Sequence, residues 1–163
     1  MSDFLIADPH FWHTNIIKYE NRPFADVAEM NGVISENWKN IVSKKDKIFI
    51  LGDFGFAAFW ATVAMIANLP GHKLLIMGNH DRDHSAAWWL RAGMNEVSRY
   101  PIIYKKFYIL SHEPLYINEH MPYINIHGHI HSKKMEGSQY RNVSVEHTRY
   151  SPVPMEEILK EKA

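Results

Sequence analysis

Lys73-Leu-Leu-Ile-Met-Gly-Asn-His-Asp81 decides the reading of this chain. Its first half is a short, unbroken apolar run, the pattern of a strand buried on both faces. Its second half changes within one residue to glycine, amide, imidazole and carboxylate. The same change recurs along the chain. Phe4-Leu-Ile-Ala7 runs into Asp8-x-His10, and Ile48-Phe-Ile-Leu51 into Gly52-Asp53. Phe107-Tyr-Ile-Leu110 precedes Ser111-His112, and Ile124-Asn-Ile126 precedes His127-Gly128-His129-x-His131. In α/β folds, ligands and chemistry collect at the C-terminal ends of strands. Five such ends carrying oxygen and nitrogen donors predict a site for a pair of divalent metals.

Between these strands the periodicity turns helical. Asp26 reads as an N-cap, and Val27, Met30, Val33, Ile34, Trp38, Ile41 and Val42 follow at helical spacing. Residues 57–69 repeat that spacing and stop before Pro70-Gly71. Residues 84–92 form a short helix carrying Trp88 and Trp89. Strands are expected at 4–8, 47–51 and 73–77, then at 101–104, 106–111, 123–127 and 140–145. Pro154-Met-Glu-Glu-Ile-Leu reads as a terminal helix with proline in its first turn. The order is β-α-β-α-β-α, then mainly β, with no repeat, linker or low-complexity tract. One α/β domain spanning 1–163 is expected.

Composition narrows the chemistry. The chain has 163 residues, 46% of them hydrophobic, enough for one self-supporting core. It has no cysteine, so thiolate chemistry and disulfides are excluded. A metal would be held by His, carboxylate and amide groups, a donor set suited to Mn, Fe, Ni, Zn or Mg. Lys+Arg and Asp+Glu both number 18, and this zero net charge argues against a protein that grips long nucleic acid electrostatically. No apolar run approaches the roughly 20 residues of a membrane span. The N-terminus lacks a basic, then apolar, signal pattern, so the expected compartment is the cytoplasm.

The clusters differ in weight. Asp8-x-His10 places two donors just past a strand, but such a pair is common, and Gly52-Asp53 is ordinary turn chemistry. Gly78-Asn79-His80-Asp81 is stronger, because an amide ligand stands beside a His that a carboxylate could hold as a general acid. His127-Gly-His-x-His131 is sharpest: three imidazoles in five residues are hard to explain as packing. Each cluster alone has a bland reading; jointly they describe the two halves of one site.

These five blocks, Asp-x-His, Gly-Asp, Gly-Asn-His-Asp, a separate His and Gly-His-x-His, resemble those of the calcineurin-like metallophosphoesterases, in the family's order. Asn142-Val-Ser-Val and the following Pro-Val-Pro-Met-Glu-Glu-Ile also look like the closing strand and helix of small, uncapped bacterial and phage members. The resemblance implies a four-layer αββα sandwich of two mixed β-sheets flanked by helices. It implies one metal held by Asp8, His10, Asp53 and His131, and another held by Asp53, Asn79, His112 and His129, with Asp53 bridging. It makes His80 the general acid, oriented by Asp81, and leaves His127 outside the ligand set. Where many members continue Gly-Asp-x-x-Asp, this chain has Phe54-Gly55-Phe56 after Asp53.

The implied function is metal-dependent hydrolysis of phosphodiesters, with phosphomonoesters as a second class. A hydroxide activated by two metals attacks phosphorus, and His80 protonates the departing oxygen. Manganese heads the list of expected ions, and a small phosphoester or nucleotide-like molecule is the expected substrate. Two alternatives stand beside it: a nuclease, and a non-catalytic metal-binding scaffold of the same fold. Arg22 is a candidate fork donor to a phosphate oxygen, His13 a second pocket residue, and Trp12, Phe54, Phe56, Tyr116 and Tyr123 candidate stacking surfaces.

Overall fold

The computed structural model describes residues 1–118 and 120–160. Each predicted apolar run forms a strand: β1 (Asp3–Ile6), β2 (Lys47–Ile50) and β3 (His72–Ile76) lie parallel and in register, Phe4 opposite Ile48 and Ile48 opposite Lys73. β4 (Glu96–Ser98) joins β3 in parallel, and β9 (Val153–Pro154) closes the other edge antiparallel to β1. The order is β4-β3-β2-β1-β9. A second sheet has the order β5-β6-β7-β8, from β5 (Ile102–Tyr104), β6 (Tyr108–Leu110), β7 (Ile124–His127) and β8 (Tyr140–Asn142). β5 runs antiparallel to β6, whereas β6, β7 and β8 are parallel. The fold is therefore α/β with two mixed sheets and helices, as the sequence predicts.

Alternation along each strand sends side chains to two cores. Leu5, Ala7, Phe49, Leu51, Leu74 and Ile76 meet Leu110, Ile126 and Val143 between the sheets. Phe4, Ile6, Ile48, Ile50 and Leu75 face the other way, into a core shared with the helices. That second core uses α2 (Val27–Ile41), α3 (Phe59–Asn68) and α4 (Ala86–Ala92), while α1 (Thr14–Tyr19) adds Ile16. The Asp26 side chain caps α2 by accepting from the Glu29 amide. Met30, Ile34 and Trp38 bury its apolar stripe, but Val33 and Ile41 of the predicted stripe face solvent. The segment after β6 is tied to the second sheet where the Leu115 amide donates to buried Asn125. α5 (Met155–Lys160) starts one residue after Pro154, which belongs to β9 instead of the helix. Among the described residues, no helix is long and apolar enough to cross a membrane.

Parallel pairing continues past the strand ends. Asp8, His10 and Phe11 donate backbone N–H groups to the carbonyls of Gly52, Asp53 and Phe54. Gly128 donates to His112, and Val145 to Ala7, so the turns of both sheets are stitched at one end. Trp38 is fully buried and donates its indole N–H to the Pro70 carbonyl at 2.9 Å. Trp38→Ala is expected to cost about 3–5 kcal/mol in denaturant unfolding, the range for emptying a large aromatic site. A loss below about 1 kcal/mol would mean that α2 does not anchor the core.

Candidate metal centre

Five of the seven predicted ligands sit in left-handed backbone: Asp8 (φ 56°), His10 (52°), Asp53 (52°), His129 (69°) and His131 (50°). Non-glycine residues rarely adopt this region, and clusters of such residues mark functional sites. With Asp8 and His10 both left-handed, the chain doubles back within two residues and turns both side chains inward. The block glycines serve the same convergence by close approach. A Cβ on Gly78 would collide with the Asp53 carboxylate, one on Gly128 with the Asp8 carboxylate, and one on Gly52 with the His112 ring.

Asp8 is fully buried, and its Oδ2 accepts from the Ser144 hydroxyl at 2.7 Å and the His129 amide at 2.9 Å. Its Oδ1 has no hydrogen-bond partner and lies 3.8 Å from His112 Nδ1. His10 meets His13 Nδ1 through Nδ1 at 3.1 Å, leaving Nε2 buried and unpartnered, 3.5 Å from Asp53 Oδ2. The same Asp53 oxygen is 3.5 Å from His112 Nε2, while Asp53 Oδ1 accepts the His80 amide at 3.0 Å. His112 donates Nδ1–H to the Leu51 carbonyl, which leaves Nε2 as the ring atom that faces the site. That nitrogen faces Asn79 Oδ1 at 2.9 Å and His129 Nδ1 at 3.1 Å. Donor atoms of Asp8, His10 and His131 lie within 4.8 Å of one another, as do those of Asp8, Asp53 and His112. Asp8 thus reaches both groups, whereas the expectation gave it to one.

Electrostatics suit a cation. Burial pushes the Asp8 carboxyl up, against the lowering influence of His112 and His131. Burial, then the Arg22 charge, holds His10 well below the usual imidazole range. Burial and His112 likewise lower His129. Both rings stay neutral near pH 7, with lone pairs free to ligate. For His131, burial lowers the pKa, but the Glu146 contact and the Asp8 charge outweigh it and the value rises. Buried carboxylate oxygens and bare ring nitrogens aimed at common points form a donor set that fits divalent cations.

His80 is exposed at the rim, its ring 4.9 Å from Phe56 and 5.8 Å from His10 between centroids. His13 packs on Phe56 at 4.3 Å, so it borders the site as well as contacting His10. Phe54 is buried in the helix-side core and offers no stacking face, whereas Phe56 is 39% exposed. His127 is buried with Nδ1 at 2.9 Å from the Gly128 carbonyl. A cavity of about 500 Å³ lies apart from the ligands, lined by His127, Arg141, His147 and Ile158 among others.

Two expectations are corrected. Arg22 does not reach toward substrate. Its side chain is buried, donating to the carbonyls of Asp8 (2.8 Å) and Pro9 (3.0 Å) and to Glu146 (2.7 Å). Asp81 does not orient the His80 ring. Its carboxylate accepts three backbone amides, from Asp53 at 2.7 Å, Gly78 at 2.8 Å and Phe54 at 3.0 Å, and so locks the second block to the third. The residues that sequence reasoning missed are Ser144 and Glu146. Ser144 carried one signal, a polar residue set between the core valines Val143 and Val145; Glu146 carried none.

Burial and the Asp53 charge push the Asp81 carboxyl up to about 6, against its three amide donors. A carboxyl raised on folding contributes stability that is complete below its unfolded value, near 4, and is lost as pH climbs through about 6. Asp81→Asn lacks this titration. The stability advantage of wild type over Asp81→Asn, from denaturant midpoints of metal-free protein, should therefore shrink between about pH 4 and about pH 7, by ~2–3 kcal/mol. An advantage that grows with pH would contradict the sign.

No family model matches the chain. It is 35% identical over 168 residues to the uncharacterized protein MJ1445 of Methanocaldococcus jannaschii, spanning 96% of this chain and 89% of that protein. Gene 66 protein of Mycobacterium phage L5 is 32% identical over 81 residues, 48% of this chain and 39% of the phage protein. Among solved structures, the protein of unknown function AQ665 from Aquifex aeolicus superposes with a TM-score of 0.76 at 26% identity over 98% of both chains. By the extent and identity of the first match, the chain belongs to the family of the uncharacterized M. jannaschii protein MJ1445.

Proposed function

We propose that the chain is a metal-dependent phosphoesterase that hydrolyses phosphodiester bonds, with phosphomonoesters as the second substrate class. One observation carries this reading: Asp53 Oδ2 stands 3.5 Å from His10 Nε2 and 3.5 Å from His112 Nε2. A single carboxylate oxygen thus divides two groups of donors, the arrangement expected of a bridging ligand between two cations. The resemblance of the five blocks to the calcineurin-like metallophosphoesterases agrees with it. When bound, two divalent cations supply positive charge for the phosphate oxygens and lower the pKa of water.

The chain's own groups supply the rest. Asp8, His10, Asp53 and His131 would hold one cation; Asp53, Asn79, His112 and His129 the other. The Ser144 hydroxyl and the His129 amide fix the Asp8 carboxylate so that Oδ1 points to the site. The His80 amide is tied to Asp53 Oδ1, which anchors its backbone on the bridging residue while the ring stands free at the mouth. From there it would donate a proton to the departing ester oxygen. Asn79, His80 and Phe56 are all exposed, so the mouth is open and suits a phosphate within an exposed ester.

Purified protein supplied with Mn²⁺ should hydrolyse bis-para-nitrophenyl phosphate, and chelation should abolish the activity. A protein that binds two ions and hydrolyses no phosphoester under any metal supply would favour the scaffold reading. Asp53→Asn should lose both activity and bound metal. His80→Ala should lower turnover by roughly 10²–10⁴-fold, the usual worth of a general acid, while two ions per chain remain by elemental analysis. Loss of metal in His80→Ala would make His80 a ligand instead of a proton donor.

A further inference from the structure

We propose that Glu146, held by Arg22, is a positioning residue that fixes His131 for the cation at Asp8 and His10; this rests on the metal centre proposed above. Glu146 Oε1 faces His131 Nδ1 at 3.2 Å. A ring that donates Nδ1–H to a carboxylate keeps Nε2 unprotonated, and its orientation is set by that bond. Arg22 directs both Nε (2.9 Å) and Nη2 (2.7 Å) at the same Oε1, so the carboxylate is held in charge and in place. The guanidinium also binds the carbonyls of Asp8 and Pro9, which belong to the two peptide bonds that link Asp8 to His10. One planar fork therefore joins the left-handed Asp8–His10 turn to His131, which reaches the site from the opposite sheet.

The geometry fits a positioning role better than simple stability. The Arg22 side chain is 0% exposed and that of Glu146 6%, and a buried ion pair is no more stabilising than well-packed apolar side chains. What an apolar pair could not supply is an acceptor for His131 Nδ1. The same short segment also holds Asp8, through the Ser144 hydroxyl. With two guanidinium donors on Oε1, the Glu146 carboxyl is fixed facing His131 and serves as its orienter. A nearby set of donor atoms, from Glu20, His131 and Glu146, sharpens the alternative that Glu146 ligates an ion itself.

Calorimetric titration of the full chain with Mn²⁺, with ions counted by elemental analysis, tests this. Two variants are compared with wild type: Glu146→Gln, and Arg22→Met combined with Glu146→Leu, which strands neither charge. Wild type should bind two ions. The double variant should lose about 10–100-fold in affinity at one site and leave the other unchanged. Glu146→Gln should fall between, since its amide oxygen can still accept from His131. With Co²⁺, the visible spectrum should change for one ion of the two. Unchanged affinities in both variants would overturn the proposal, as would equal weakening at both sites, which is the signature of a merely structural pair. A third ion in wild type that disappears with Glu146 would make Glu146 a ligand and also overturn it. Wild type that binds no Mn²⁺ would defeat the metal centre itself, whereas two ions bound with wild-type affinity in every variant would defeat the positioning role alone.

Discussion

Two carboxylates, Asp8 and Asp53, are buried at the junction of the two sheets with almost no surface open to solvent. Burying such charge costs far more than any nearby hydrogen bond returns, unless positive charge is held beside it. The architecture works around this constraint. Imidazoles crowd the carboxylates, left-handed turns aim the candidate ligands inward, and glycines clear the space they converge on. Arg22, the fully buried guanidinium, does not neutralise the carboxylates directly. It takes backbone carbonyls and Glu146 instead, and Asp8 Oδ1 stays bare at the centre.

The scaffold explains how distant residues meet there. β1, β2 and β3 are parallel, so their C-terminal turns emerge side by side, and the amide-to-carbonyl pairing continues through those turns. β6 and β7 do the same in the second sheet. The Ala7–Ser144 bridge then pins the two sheets together beside Asp8. Beneath the ligands, Asp81 gathers three amides from two of these turns.

Much of this was legible in the chain because strand and ligand are adjacent in sequence. An apolar run followed at once by donors records both the strand and the end at which chemistry occurs, and every such run from Phe4 to Ile126 forms its strand. Arg22 looked like a substrate donor because its partner Glu146 lies 124 residues away, and nothing local marks that pair. Asp81 follows His80 directly, so it read as the orienter of that ring, but the 3₁₀ turn over Asp81–Asp83 carries its side chain back beneath Asp53. β4 and β9 were missed because each is only two or three residues long at a sheet edge, where pairing with β3 and β1 creates the strand and local pattern does not. Val33 and Ile41 show the limit of periodicity: they keep helical spacing but lie outside the arc that the sheet covers.

Anomalous X-ray diffraction from crystals loaded with Mn²⁺ tests the centre most directly. Two peaks are predicted, one on each side of Asp53 Oδ2: the first among Asp8, His10 and His131, the second among Asn79, His112 and His129. A single peak, or density confined to the Glu20, His131 and Glu146 group, would contradict a two-cation centre bridged by Asp53.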